Sequence, residues 1–431
     1  IKSICEQLGV DKASVASFLN KTSYADWWGD KDKPLASGSL YDHHHNIKQG
    51  GVNKKYIITS AQNSTFVHSN FLTSLELMAE RVGAQIIVGT FSYNLSGFQN
   101  LEKKEGEWFD NKIKDYILDE PLQLAKDLVW CGELNILPTA TNPLSGFHSY
   151  TKDSSGIIPH AKVQLDSFPS KKGGQARMLY TTGAITQRNY VQKKAGQKAS
   201  FHHIFGALIV EVDGDGDWFV RQLICDADTG IFYDLDVLYT PSGVFEDQSV
   251  EAINWGDIHA EKRSTTACEV SFGNKASMLD TLKPRYQFVH DVADFSSRNH
   301  HNISDPYFRF KQYCGIEDSV VSDIKAVGEV LKEMQRDFSE VVVVESNHDL
   351  ALTRWLKSAD YKTDPANAIF FLDCQLATYK AMKENDKNFC VLRYSIENYY
   401  DGKISAKFLK TDESFVICGG NGVECGMHGD L

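Results

Sequence analysis

Val341-Val342-Val343-Val344-Glu345-Ser346-Asn347-His348-Asp349 joins an unbroken apolar run to a cluster of polar side chains that can bind metal or move protons. Four β-branched residues in succession read as a buried strand, and the polar residues follow at its end. The same arrangement recurs through the C-terminal half. Ala252, Ile253 and Trp255 run into Gly256-Asp257-Ile258-His259, and Tyr286, Phe288 and Val289 run into His290-Asp291-Val292-Ala293-Asp294. Phe415 to Ile417 lie shortly before Met427-His428-Gly429-Asp430. Strand ends that each deliver one or two oxygen or nitrogen ligands to a common edge are how α/β proteins assemble a site.

The ligand types are specific. Asp257 and His259 are two residues apart, so on an extended chain both point to one face and can share a metal. Asp291 has two carboxylate oxygens and can bridge two cations. Asn347 offers an amide oxygen and His428 an imidazole. Mixed His, Asp and Asn ligands suit Mn, Fe or Zn better than Ca. Two such ions, roughly 3.5–4 Å apart, can hold a phosphate and stabilise its entering and leaving oxygens. His348 directly follows a ligand, so its ring can reach that phosphate and donate a proton. Asp349 is expected to hold the His348 ring through a carboxylate–imidazole bond. Arg298 and Arg354 follow the second and third motifs and can orient a phosphodiester, because guanidinium binds phosphate through two parallel hydrogen bonds.

Asp-x-His, then Asp-x-x-Asp, then Asn-His-Asp, then a later His resembles the calcineurin-like metallophosphoesterase family. His290 and Ser346 stand where that family usually has Gly, and its closing Gly-His-x-His is absent. The chain starts at Ile1 and stops at Leu431, and we expect both ends to be truncations of a longer protein. A narrower resemblance spans about residues 55 to 431. It rests on Ile58 to His68, Gly256 to His259, His290 to Phe295 with Arg298 to His301, and Ser346 to Asp349 with Arg354-Trp355. These stretches are similar to the pre-early first-step-transfer DNases of large siphophages. The resemblance implies a two-sheet sandwich flanked by helices, two divalent metal ions, and hydrolysis of host genomic DNA in the cytoplasm of the infected bacterium. Mn is the expected metal, with Fe, Zn or Mg as alternatives. Metal one would take Asp257, His259 and Asp291, and metal two Asp291, Asn347 and His428, with His348 and Asp349 as catalytic residues. Two other readings stay open: a phosphomonoesterase or protein phosphatase on the same site, and a non-nucleolytic DNA-transfer or host-takeover binding factor.

Bulk properties set the remaining bounds. The 431 residues suggest two or three domains. A hydrophobic content of 42% and a charged content of 24% are ordinary for a globular chain. No apolar run approaches the roughly 18 residues that a membrane helix needs. Nine scattered Cys argue against a disulfide framework. The net charge of −12 disfavours tight nucleic-acid binding by the protein surface alone. Bound cations would supply the missing positive charge where phosphate sits.

Residues 1–50 read as a helical hairpin resembling a helix-turn-helix, with Asp11 capping the second helix, followed by a linker. His43-His44-His45 on an extended chain do not all face one way, which favours a surface role over a metal site. Residues 54–248 read as an α/β domain. It opens with a strand at Tyr56–Thr59, a helix at about Ser69–Val82 and a strand at Gln85–Thr90, a βαβ unit. A helix is expected over Trp108–Leu118. Further strands are expected at Leu128–Cys131, Ala161–Leu165, Ala176–Thr181, Ala207–Val212, Trp218–Cys225 and Ile231–Tyr239. Asp213-Gly-Asp-Gly-Asp217 reads as a hairpin turn, because Ile224 stands where a calcium loop needs Glu. His202-His203 reads as buried structure or as a contributor to the metal site. Residues 250–431 form the metallophosphoesterase-like domain, with an amphipathic helix over Ser319–Phe338, a second helix over about Ala366–Met382, and paired strands at Val391–Ile396 and Ser405–Leu409. A homo-oligomer is an open expectation.

Overall fold

The computed structural model describes residues 48–93, 108–170, 176–273, 276–299, 302, 304–315, 319–419 and 422–429. The expected N-terminal helical hairpin, His43 to His45, His300, His301 and Asp430 lie outside the described residues. The chain divides into two units, Ile1–Phe245 and Glu246–Leu431. It is mixed α/β.

In the first unit, β1 (Lys54–Gln62) and β2 (Ala84–Phe91) pair in parallel across helix α1 (Ser69–Val82). The helix starts where His68 Nδ1 accepts the Phe71 N–H at 3.2 Å. It stops at Gly83, whose φ of 69° is a left-handed conformation that glycine adopts without cost. Phe71, Leu72, Leu75 and Met78 bury one face of α1. β3 (Gly206–Val212) pairs antiparallel with β1, and β4 (Trp218–Ile224) with β3. Asp213 makes the turn between them, its Oδ1 accepting the N–H of Asp215 at 3.0 Å and of Asp217 at 2.9 Å. A six-stranded sheet lies alongside in sequence, from Lys48–Gln49 to Arg177–Thr181.

Two expectations change here, and a third is decided between its two alternatives. The strand expected over Ala161–Leu165 is a turn, with strands at Ser155–Ile158 and Leu165–Phe168. His160 Nδ1 accepts the Lys162 N–H at 2.9 Å and closes that turn. The helix over Trp108–Leu118 shortens to a 3-10 turn at Asn111–Tyr116. His203 is buried structure: its Nδ1 meets the Tyr190 hydroxyl at 2.6 Å and its Nε2 the Thr186 carbonyl at 2.9 Å.

The second unit is built on a parallel sheet in chain order: β5 (Ala252–Asp257), β6 (Tyr286–His290), β7 (Glu340–Val344) and β8 (Ala406–Leu409). The alternation of a strand sends successive side chains to opposite faces. Val289, Val341 and Val343 pack under α3 (Val320–Glu333), which follows α2 (Pro306–Cys314) in the chain, against Val327, Val330 and Leu331. Phe288, Val342, Val344 and Leu409 face the other way and pack with Ile417 and Phe415. Ile417 belongs to a short antiparallel pair, β9 (Val416–Ile417) with β10 (Val423–Glu424). Among the described residues that pair and an isolated antiparallel bridge, Arg336 with Ser339, are the β-structure of this unit outside the parallel sheet. α4 (Leu350–Ser358), α5 (Ala368–Glu384) and α6 (Val391–Tyr399) complete the helical layer. The expected strand at Val391–Ile396 is therefore helix α6. Leu392, Ser395 and Ile396 are its buried face, a three-and-four spacing that a short apolar run conceals. The strand at Ser405–Leu409 pairs instead with β7.

Candidate metal centre

The functional side chains leave the sheet at the carboxyl ends of neighbouring strands. Pairing of β5 with β6 continues past both strands: His259 N donates to the Asp291 carbonyl at 2.8 Å and Ala260 N to the Val292 carbonyl at 3.0 Å. The two loops are thus locked in step. His259 and Asp291 both have φ of 44°, and Phe295 has 46°. Non-glycine residues held in this region cost on the order of 1–3 kcal/mol each, and such strain gathers at functional sites.

Two groups of ligand-type atoms result. Asp257, Asp291 and His428 form one, and His259, Asp294 and His348 the other, with the ligand atoms of each group within 4.8 Å of one another. The grouping differs from the expected sets, which placed His259 with Asp257 and Asp291. In the first group His428 Nε2 lies 3.1 Å from Asp291 Oδ2. Burial pushes the Asp291 carboxyl up, but the adjoining Ser346 hydroxyl and the His428 and His348 rings outweigh it and leave the group below its ordinary value. Asp291 is therefore an anion at neutral pH. Its Oδ1 is nonetheless buried without a hydrogen-bond partner, as are Nδ1 of His428 and Nδ1 of His290. A bare buried acceptor costs about 1–3 kcal/mol, more when charged, and a cation on these atoms removes that cost. This donor set of carboxylate oxygen and imidazole nitrogen fits a divalent ion.

The second group is already charge-paired. Asp294 Oδ1 meets His348 Nδ1 at 3.0 Å and His259 Nδ1 at 3.3 Å. Its Oδ2 takes the Lys262 ammonium. Burial raises the Asp294 carboxyl, and Lys262 and the two rings more than offset this, so it too lies below its usual range. The Asp294–His348 contact leaves Nε2 as the free nitrogen of the His348 ring. An acid–base histidine held by a carboxylate on its far nitrogen is a proton donor of fixed orientation.

Several assignments change. Asp349, expected to hold His348, points away from it. Asp349 Oδ1 accepts the Ala293 N–H at 3.0 Å, and Oδ2 accepts the Ser346 hydroxyl at 2.9 Å. Burial, with the Asp291 charge adding to it, pushes this carboxyl up to about 7. Asp349 fastens the second motif to the third. Arg298 is not free to bind phosphate, because its side chain is 3% exposed. Nε and Nη2 of Arg298 donate to Asp364 at 2.6 and 3.0 Å. Arg354 is exposed and donates to the Asn347 carbonyl. Asn347 itself is exposed on the turn that carries His348.

Two residues of this cluster escaped the sequence reading. Asp294 stands inside the quoted motif, and its three-residue spacing from Asp291 was the signal. Glu261 gave none. Glu261 accepts the N–H of Asp294 at 3.0 Å and of Phe295 at 3.0 Å, and so shapes the loop that presents Asp294.

The chain is similar to Protein A1 of Escherichia phage T5, with 46% identity over 392 residues that cover 89% of this chain and 69% of that protein. No family model matches the chain, and no solved structure matches it.

Proposed function

The chain belongs to the family of Protein A1 of Escherichia phage T5, and from that premise we propose that its C-terminal unit is a metal-dependent phosphodiesterase that cuts host DNA in the cytoplasm of the infected bacterium. The observation that carries this reading is the bare, ionised Asp291 oxygen among converging strand ends, beside a carboxylate-oriented histidine. The coarse architecture, a parallel sheet with its ligands at the carboxyl edge and a β-pair on its far face, agrees with a metallophosphoesterase-like sandwich.

Asp257, Asp291 and His428 would hold one divalent ion, with Mn the expected metal. When bound, such an ion neutralises phosphate charge and activates water. His259 belongs to a second site that can load only if Lys262 leaves Asp294. The Lys262 side chain is 59% exposed, so it is free to swing out. The two sites should accordingly differ in affinity. His348 donates a proton from Nε2 to the leaving oxygen, and Asp294 fixes that ring through Nδ1. Arg354 and a displaced Lys262 supply phosphate contacts on a chain of net charge −12.

Among the described residues no helix is long and apolar enough to cross a membrane. A second copy of the chain is the proposed protein partner. On α5, Ile369, Leu372, Leu376, Tyr379 and Met382 are 82%, 43%, 53%, 62% and 69% exposed. Their three-and-four spacing makes one apolar stripe. Its exposed area is on the order of 600 Å², close to the ~800 Å² per partner of a stable interface.

The test is hydrolysis of plasmid DNA and of bis(p-nitrophenyl) phosphate with Mn or with chelator. Cleavage of both only with metal supports the proposal. Faster cleavage of the monoester p-nitrophenyl phosphate would support a phosphomonoesterase instead. Absence of all three activities would leave a binding factor.

A further inference from the structure

A cavity of about 590 Å³ opens directly onto the reacting groups, with Asp257, His259, Asp294 and His348 in its lining. Trp255, Ala267, Ser271 and Phe272 among its other walls have no part in metal or proton chemistry. Trp255 and Phe272 meet there edge to face, with ring centroids 5.5 Å apart. Trp255 Nε1 donates to Gln287 Oε1 at 3.1 Å, which holds the indole in place. Lys262 and Arg263 line the same cavity, paired with Asp294 and Glu333, and the exposed Lys262 can turn from Asp294 to a bound phosphate. A fixed aromatic wall, cations and a catalytic edge are what a nucleotide needs: stacking for the base and charge for the phosphate. The volume lies within the roughly 300–1,000 Å³ of cavities that enclose one drug-sized ligand. One nucleotide fits, whereas a base pair held in a duplex does not.

We propose that this cavity receives the nucleoside flanking the scissile phosphate, so that cleavage requires a nucleotide that has left the stack, at a strand end or in a single strand. The inference rests on the phosphodiesterase reading above and adds the form of its substrate. A base already unpaired enters without the few kcal/mol that extrusion from a duplex costs.

The experiment titrates the Mn-loaded 431-residue chain by calorimetry with thymidine 5′-monophosphate, deoxyribose 5-phosphate and inorganic phosphate. The nucleotide should bind on the order of tenfold or more tighter than the sugar phosphate. Ala267→Trp fills the cavity from the exposed face of the short helix Thr265–Cys268. It should abolish the nucleotide's advantage while inorganic phosphate binds as before. Ser271→Trp is the second variant and should do the same. Equal affinities for nucleotide and sugar phosphate in the unmodified protein would overturn the proposal. So would an advantage that survives in either folded Trp variant, or a parallel loss of phosphate binding in both. In kinetics, a single-stranded oligonucleotide should be cut on the order of tenfold or more faster than closed circular duplex, and equal rates would likewise overturn it. A nucleotide preference without any hydrolysis would reject the phosphodiesterase reading and keep the pocket.

Discussion

Asp294→Asn separates proton transfer from metal binding at Asp257, Asp291 and His428. The substitution keeps the shape of the side chain and removes its charge. Unit charges ~4 Å apart at an effective dielectric of ~20 interact by ~4 kcal/mol. The His348 side chain is 32% exposed, and screening by water reduces this to roughly half, ~2 kcal/mol. That alone is ~30-fold in rate. Loss of the fixed ring orientation adds to it, so DNA cleavage should fall by about 100-fold, within the usual range for a general acid. The assay compares two leaving groups. A DNA alkoxide needs the proton, whereas p-nitrophenolate leaves without it, so hydrolysis of bis(p-nitrophenyl) phosphate should change by no more than about threefold. His348→Ala should show the same split, and adding Asp294→Asn to it should cost little more, because the two act as a unit. An equal loss on both substrates would refute the reasoning and make Asp294 a metal ligand above all.

Four other outcomes follow from the same contacts. Asp291→Asn should abolish hydrolysis of both substrates and erase the rise in melting temperature that Mn gives, with an unchanged circular-dichroism spectrum; retained Mn stabilisation would contradict the assignment. Arg298→Ala should lower folding stability by about 3–5 kcal/mol, since it strips the buried Asp364 carboxylate of its guanidinium, and chemical denaturation should show this with KM unaltered in the protein that remains folded. Asp323 is raised to about 8, first by burial and then by the Glu261 charge. A folded pKa above the unfolded one gives stability that is full below the unfolded value and is lost as pH climbs to the folded one. Asp323→Asn should therefore gain stability relative to the parent between about pH 4 and 8, by up to about 1.4 kcal/mol per pH unit; a pH-independent difference in urea midpoints would contradict it. Leu376→Glu should dissociate the proposed self-assembly in light scattering, and a monomeric parent at high concentration would remove that surface from the account.

The parts of the site visible in sequence are those tied to chain direction. Each apolar run of β5, β6 and β7 ends in its polar residues, so the sequence alone places Asp257, His259, Asp291 and His348 at strand tips. What remained hidden depends on which way a side chain turns after the strand ends. Asp349 adjoins His348 in sequence, but the start of α4 rotates it toward Ala293 and Ser346. Asp294 reaches the ring from another loop, because the left-handed turn at Asp291 carries the chain back over the site. Arg298 follows a ligand motif, yet its neighbour in space is Asp364, 66 positions away. Burial of that kind leaves no mark in a short window of sequence. Val391–Ile396 misled for a different reason: six residues mixing β-branched and polar types satisfy either period, and only the packing of Leu392 and Ile396 beneath α3 and α5 settles the helix. The second domain boundary rests on the same logic, since Phe245 and Glu246 mark where contacts change partners rather than where composition shifts.

The proposed chemistry requires a divalent cation among Asp257, Asp291 and His428. Anomalous diffraction at the Mn edge from Mn-soaked crystals measures this directly. The predicted result is a strong peak within coordination distance of Asp291 Oδ1 and the His428 ring, with any second peak, at His259, weaker and accompanied by an outward turn of Lys262. A map with no peak at Asp291 under saturating Mn would contradict it.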